Sequence, residues 1–420
     1  MAQQADSPPR IVLGVAGGIA AYKSCEVLRS LTESGHHVDV IPTEAALRFV
    51  GSATFEALSG NPVTTGVFSD VPSVRHVRLG QQADLIVVAP ATADLISRMT
   101  AGRADDLLTS TLLASRAPVM IAPAMHTEMW QHPATQANIA TLRERGVIVV
   151  GPASGRLTGK DTGPGRLADP WQIAALSKLL IEDPQALTYD LAGVRVLITA
   201  GGTREPLDPV RFLTNRSSGK QGYALAQVAA ARGAEVTLIS ANVALTAPAG
   251  VEVIPVETAL ELQEQTEAQA AHADVVVMAA AVSDFRPTVR RESKIKKTDS
   301  EPDEIALTKN PDILAGLVTA RAQGNLPGEL RIVGFAAETG DEQHTVAEYG
   351  RQKLARKGCD FIVVNDVGAG GAFEGDHNQG LILGSDGSSV QIPRGSKALV
   401  AARIWDAVAP SAAASVGPIK

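Results

Sequence analysis

The sequence predicts an α/β protein of two domains, and three observations carry that prediction. The apolar run Ile11-Val12-Leu13-Gly14-Val15-Ala16 feeds Gly17-Gly18 and then a helical stretch. The run Val194-Arg195-Val196-Leu197-Ile198-Thr199-Ala200 feeds Gly201-Gly202 in the same way. The chain has 420 residues, more than one hydrophobic core ordinarily serves. A buried strand running into a glycine turn and a helix is the opening unit of a nucleotide-binding α/β domain. Two openings imply two sites and two reactions.

Composition agrees with this class. Hydrophobic residues make up 45% and aromatics only 4%, so Ala, Val, Ile and Leu must fill the cores. That suits parallel strands buried on both faces. The net charge of −7 argues against a nucleic-acid partner. Cys25 and Cys359, the only cysteines, lie too far apart in sequence for a disulfide framework or a zinc spacing. No apolar run is long enough to span a bilayer, and Met1 to Arg10 lacks a signal-peptide apolar region. The expectation is a soluble cytoplasmic protein.

In the first half, strands are expected at 11–16, 37–41, 84–89, 119–122 and 147–150, with helices between them such as 20–34 and 127–145. Residues 151–167 carry five glycines and two prolines and show neither strand nor helix pattern, which reads as a mobile lid. A helix near 170–181 precedes a polar stretch, 182–190, read as the linker between domains 11–181 and 191–410. Strands then follow at 194–199, 235–240, 251–256, 274–279, 331–336 and 361–364. A hairpin turn follows Leu381-Ile382-Leu383, and a helix over 396–408 closes the fold.

Gly17, Gly18 and Ile19 at a helix start offer backbone N–H groups to an anion, although tight turns also use glycine for steric reasons. The spacing is not G-x-G-x-x-G, and Thr43 stands where dinucleotide folds place a carboxylate. A mononucleotide phosphate, as in FMN, fits better than NAD. Ala91-Thr92 leaves the sheet's carboxyl edge after another strand, where ligands bind in such folds. Pro123-Ala124-Met125-His126 does so one strand later, with an apolar wall and one polar group. His76 lies ahead of a strand, with a pKa range that suits a general base.

Together these pieces resemble the flavin-dependent cysteine decarboxylases. The matching strings are Gly-Gly-Ile-Ala-Ala-Tyr-Lys, Thr-Glu-Ala-Ala, Ala-Pro-Ala-Thr-Ala-Asp, Pro-Ala-Met-x-x-x-Met and Gly-Pro-Gly-Arg. The resemblance implies a flavodoxin-like FMN domain that decarboxylates 4′-phosphopantothenoylcysteine by way of a thioaldehyde, with His76 as the active-site histidine. Two departures stand out. His126 occupies the place where the family has an Asn that holds the substrate carboxylate. Gly159 occupies the place of the family's lid Cys, which leaves Lys160, Asp161 or water as the proton donor.

In the second half, Ser217-Ser218-Gly219 sets hydroxyls and free N–H groups at a helix start. The Gly219-Lys220 pair is no P-loop, because Gln221 follows and the upstream glycine is missing. Asp284 ends a strand, placed to bind Mg2+ or a nucleotide, or simply to cap a turn. A basic run, Arg286 to Lys297, follows it and suits phosphate. This half resembles phosphopantothenate–cysteine ligase through Gly-Gly-Thr-Arg-Glu-Pro-Leu-Asp-Pro-Val-Arg, Asn-Arg-Ser-Ser-Gly-Lys, Ala-Ala-Val-Ser-Asp-Phe-Arg, Lys-Ile-Lys-Lys, Lys-Asn-Pro-Asp-Ile-Leu and Gly-Phe-Ala-Ala-Glu-Thr. The resemblance implies a second Rossmann-like domain that uses CTP and Mg2+ to activate 4′-phosphopantothenate as an acyl-cytidylate, which the amine of L-cysteine then attacks. Carried over by position, Asn215 holds that intermediate and Lys294 contacts phosphate and supports the second step. Met278, Ala279, Ala280, Asp284, Pro311, Asp312, Ile313, Leu314, Phe335, Lys353 and Lys357 line the CTP pocket.

The order of the halves matches a bacterial fusion that performs two steps of coenzyme A synthesis. The family assembles its flavin domain as trimers and its ligase domain as dimers, so a homo-oligomer, a dodecamer, is expected by analogy. The alternative is a ligase with an N-terminal flavin-binding regulatory domain that lacks efficient decarboxylase activity.

Overall fold

The computed structural model describes residues 8–66, 74–157, 161–295, 304–338, 344–366, 375 and 377–410. The chain divides into two compact units, one built on residues up to Tyr189 and the other on residues from Asp190 onward.

In the first unit, β1 (Arg10–Val15), β2 (His37–Pro42), β3 (Leu85–Ala91), β4 (Val119–Pro123) and β5 (Ile148–Val149) form a parallel sheet in the order β2-β1-β3-β4-β5. This is the flavodoxin-like doubly wound order, and its direction reverses between β1 and β3. The helices are α1 (Ser24–Glu33), α2 (Ser52–Ser59), α3 (Arg75–Gln82), α4 (Ala93–Ala101), α5 (Leu107–Ala114), α6 (Thr127–Gln131), α7 (Pro133–Glu144) and α8 (Pro170–Glu182). β3 is buried along its whole length, as a central parallel strand must be. Val12, Ile86, Val88 and Ile121 pack from the sheet against Leu95, Ile96, Leu107 and Ile139 of the helices. Each such buried side chain contributes about 1.5–3 kcal/mol.

Three expectations need correction. The helix expected from residue 20 starts as a 3-10 turn, Ile19–Lys23, before α1. The helix expected over 127–145 is broken at His132, because Pro133 lacks an N–H and forces the residue before it into an extended conformation. His132 then caps α7, its Nδ1 accepting from the Ala134 N–H at 3.2 Å. The glycine-rich lid is an antiparallel hairpin, β6 (Ala153–Arg156) with β7 (Thr162–Arg166), held by cross-strand backbone bonds that need no side-chain alternation. Within the polar stretch 182–190, Ala186 and Leu187 are buried.

In the second unit, β8 (Arg195–Gly201) leads to a small antiparallel pair, β9 (Arg204–Pro206) and β10 (Phe212–Thr214), and then to α9 (Lys220–Ala231). There follow β11 (Glu235–Ala241), β12 (Val251–Val256), α10 (Ala259–Ala270), β13 (Val275–Met278), the antiparallel pair β14 (Phe285–Pro287) and β15 (Leu307–Lys309), and α11 (Ile313–Ala322). The last elements are β16 (Arg331–Glu338), α12 (Val346–Lys357), β17 (Phe361–Asp366), β18 (His377–Gly384), β19 (Ser389–Ser396) and α13 (Lys397–Val408). The main sheet runs β12-β11-β8-β13-β16-β17-β18-β19, parallel as far as β17 and antiparallel beyond it. Its order reverses between β8 and β13, the Rossmann switch point. Both expected Rossmann-like sheets are therefore present. No helix of the described residues is long and apolar enough to cross a membrane.

Candidate active sites

At the switch point of the first unit the chain turns through Gly17-Gly18 between β1 and the 3-10 turn. A Cβ on Gly17 would lie 2.4 Å from the Ala45 Cβ, so only glycine lets the loop after β2 close over this turn. The Thr43 N–H donates to the Val15 carbonyl at 2.9 Å, and its Oγ1 accepts from the Ala46 N–H at 3.2 Å. Thr92 caps α4, its Oγ1 accepting from the Leu95 N–H at 3.4 Å. Ala91 is fully buried and offers only backbone: its carbonyl accepts from the Ala124 N–H at 3.0 Å. Two cavities meet here and share Thr92, Ala93 and Met129. One, of about 700 Å³, is lined by Gly17, Thr43 and Thr92. The other, of about 640 Å³, is lined by Gly18, Ile19, Thr92, His126, Met129 and the hairpin residues Arg156 and Arg166.

His126 sits at the N-cap of α6 without bonding a helix N–H through its ring, which leaves the imidazole to the cavity it lines. β7 is pinned beside it, since the Gly165 carbonyl accepts from the Met125 N–H at 2.9 Å. His76 is in the first turn of α3, with a buried Nδ1 that has no hydrogen-bond partner, and it is not among the residues lining either cavity. Asp161 is exposed, while Gly159 and Lys160 lie outside the described residues. Burial pushes the Cys25 and Cys359 thiols up, so neither is an activated thiolate.

At the switch point of the second unit a cavity of about 160 Å³ is lined by Ser217 to Gly222 at the start of α9, by Ala279 to Ala281 after β13 and by Phe335 of β16. Gly202 and Ala281 bridge the turns after β8 and β13. Met278 is buried at the end of β13, and the Ala280 N–H donates to Thr199 Oγ1 at 3.1 Å. Asn215 donates to the Val282 carbonyl at 2.9 Å. Asp284 follows one residue after the buried Ser283, with an exposed side chain that makes no ion pair among the described residues. Its backbone is fixed instead, the carbonyl accepting from the Asn310 N–H at 2.8 Å. No cluster of three or more His, Cys, Asp or Glu able to hold a metal occurs among the described residues. A lone carboxylate still fits Mg2+ that arrives with phosphates and keeps its waters.

Asp312 caps α11 through the Ala315 N–H at 3.1 Å and pairs with the Lys357 ammonium. Burial opposes the Asp312 charge, but Lys357 and the Ala315 N–H together hold its carboxyl below the usual range. Ile313 and Leu314 pack into the core beneath, so Asp312 and the half-buried Lys353 and Lys357 are the polar members of this group. Pro311 precedes the cap. Lys294 is exposed, next to Ile295; Lys296 and Lys297 lie outside the described residues.

Several residues at these sites escaped the sequence reading. Asp208, within the Leu-Asp-Pro-Val-Arg string, is buried and accepts from the Arg211 side chain at 2.6 and 3.0 Å and from three backbone N–H groups, Val210, Arg211 and Ile295. The guanidinium and those N–H groups hold its carboxyl far below the usual range. The Asn378 side-chain amide donates hydrogen bonds to the Gln221 and Asn365 side-chain carbonyls at 3.3 and 3.0 Å at the wall of the small cavity, where the buried Lys397 also stands. A spacing of more than 150 positions between Gln221 and Asn378 leaves no local signal for that contact.

Comparison with known proteins agrees with this division. Residues 1–181 match the family described as Flavoprotein, and residues 191–411 match the DNA/pantothenate metabolism flavoprotein C-terminal domain. A coenzyme A biosynthesis bifunctional protein CoaBC from Mycolicibacterium smegmatis is 63% identical over 401 residues, covering 95% of this chain and 97% of its own. The protein of that description from Mycobacterium tuberculosis is 62% identical over 402 residues, covering 96% of each chain. That from Vibrio vulnificus is 44% identical over 400 residues, covering 94% of this chain and 96% of its own. With two switch-point sites on two sheets and both domain families in this order, the chain belongs to the CoaBC family of bifunctional coenzyme A biosynthesis proteins.

Proposed function

We propose that the second unit joins 4′-phosphopantothenate to L-cysteine through an acyl-cytidylate made from CTP, and that the first uses FMN to decarboxylate the product to 4′-phosphopantetheine. Membership of the family makes the chain a bifunctional decarboxylase and ligase of coenzyme A synthesis. The finer assignments rest on one observation: each sheet opens a ligand cleft at its own switch point, at the carboxyl ends of its strands. The assigned domains are 11–181 and 191–410, joined by 182–190.

In the first unit the Gly17-Gly18 turn fits a flavin phosphate, since the missing Cβ atoms let backbone N–H groups approach an anion. FMN, when bound, would supply the redox chemistry at the thiol-bearing carbon. Thr43 and Thr92 orient the phosphate end, His126 donates to the substrate carboxylate, and the β6–β7 hairpin covers the cavity and excludes water. His76 lines neither cavity of its own chain, so it is assigned to the site of a neighbouring copy in a homo-oligomer.

In the second unit Ser217, Ser218 and the start of α9 take phosphate. Asp284 would hold Mg2+, which would offset phosphate charge there, and Lys353 and Lys357 add positive charge. Asn215 donates to the acyl-cytidylate, which forms as pyrophosphate leaves CTP, and Lys294 contacts its phosphate as the cysteine amine displaces CMP. Both reactions are placed in the cytoplasm, where free cysteine and CTP are at hand.

The test is product analysis. Full-length protein, phosphopantothenate and cysteine are incubated with CTP or with ATP, and masses are read. CTP should give the amide and then, with FMN bound, loss of CO2. Amide with ATP alone rejects the CTP assignment; a yellow protein that forms amide but releases no CO2 makes the first unit a binding domain.

A further inference from the structure

Two basic side chains of the first unit, Lys23 and Arg166, stand close together on one cavity wall. Both line the cavity of about 640 Å³ beside His126. Lys23 ends the 3-10 turn that follows the glycines, and Arg166 ends β7. Neither forms an ion pair among the described residues, and the Arg166 Nε is buried without a hydrogen-bond partner. Burial and the neighbouring Arg166 charge both work against the Lys23 ammonium. Asp169 and Glu26 are near enough to favour it but do not prevail. The Asp169 side chain is engaged elsewhere, accepting from the Trp171 N–H at 3.3 Å as the cap of α8.

The adjoining cavity is the contrast. Its cation, Arg98, is fully answered by Asp94, Asp105 and Asp106 at 3.1, 2.9 and 2.7 Å. Two unanswered cations crowded on one wall are unfavourable unless an anion joins them. The flavin phosphate is already provided for by the Gly17-Gly18 turn, and a carboxylate by His126. We propose that Lys23 and Arg166 form the subsite for the terminal phosphate of the pantothenoyl ligand, and so make the decarboxylase unit select phosphorylated over dephosphorylated substrate. Arg156, on the facing hairpin strand, lies along the same wall. This subsite rests on the decarboxylase reading of the first unit, and its test separates the two.

The FMN-loaded full chain is titrated with 4′-phosphopantetheine and with pantetheine, followed through the flavin absorbance so that only the first unit reports. Neither ligand carries the reacting carboxylate, so the comparison isolates the phosphate. Wild type should bind the phosphorylated ligand at least about tenfold more tightly, a charge-assisted contact. Lys23→Met and Arg166→Gln should each bring that ratio below about threefold while pantetheine binding holds. Should Arg166→Gln fail to fold, Lys23→Met decides. Equal binding of both ligands by wild type, or a ratio that survives Lys23→Met, overturns the subsite. Discrimination without any CO2 release from 4′-phosphopantothenoylcysteine leaves the subsite standing and rejects the decarboxylase reading instead.

Discussion

The carboxylate of Asp208 accepts a hydrogen bond from the backbone N–H of Ile295 at 3.1 Å, across 87 positions of sequence. Arg211 closes the same latch from the other side, donating to Asp208 and, at 3.0 Å, to the Ile295 carbonyl. The Arg291 N–H adds a bond of 3.0 Å to the Leu207 carbonyl. The loop after β9 thereby fixes the backbone next to Lys294, which has an exposed side chain.

Asp208→Asn keeps the shape but removes the charge that grips Arg211. The expected result is a fall in amide formation of about tenfold or more, with decarboxylation of added 4′-phosphopantothenoylcysteine unchanged. The two activities are assayed separately on the same preparation. A second consequence concerns acid. The fold lowers the carboxyl pKa of Asp208, so the unfolded chain takes up this proton first. The stabilisation is complete above the unfolded value and is lost as pH falls through the lower, folded one. Unfolding of the second unit should therefore grow easier below about pH 4 in wild type, and less steeply so in Asp208→Asn. Denaturant midpoints measured across that range check the sign.

Gly17→Ala tests the close approach at the first switch point. The new methyl would meet the Ala45 Cβ at 2.4 Å and its carbonyl carbon at 2.7 Å, and backbone there has little room to yield. Overpacking of this kind costs about 1–3 kcal/mol. The expected protein is colourless or pale, melts earlier in its first transition, and retains ligase activity. Flavin absorbance and calorimetric scanning read both effects.

Much of this architecture was legible in the chain because buried parallel strands are short apolar runs and their turns are glycines. The run ending at Ala16 and the run ending at Ala200 each gave away a strand, a turn and a switch point. Where the physics is not written locally, the reading failed. The β6–β7 hairpin lacks alternation because Gly155, Gly163 and Gly165 have no side chains to alternate, yet its backbone pairs all the same. The break at His132, by contrast, is written locally in Pro133, and a helix drawn over 127–145 runs through it. The Asp208–Ile295 latch and the pairing of Asp312 with Lys357 join distant segments, so only the fold brings them together.

His76 and His126 provide the last test. His126 lines the cavity of its own chain and His76 does not. If a complete decarboxylase site takes one histidine from each of two copies, a His76→Asn protein and a His126→Ala protein are each inactive for opposite reasons. Mixed after gentle dissociation and reassembly, they should regain CO2 release, because some contacts then unite an intact His76 with an intact His126. The unmixed variants, taken through the same cycle, should stay inactive, and both should bind FMN with the wild-type absorbance. Sedimentation of the mixture confirms that copies have exchanged. Exchange without recovered activity would mean that His76 serves its own chain, reaching the flavin cleft by a rearrangement of α3, or has only the structural role that its buried Nδ1 would permit.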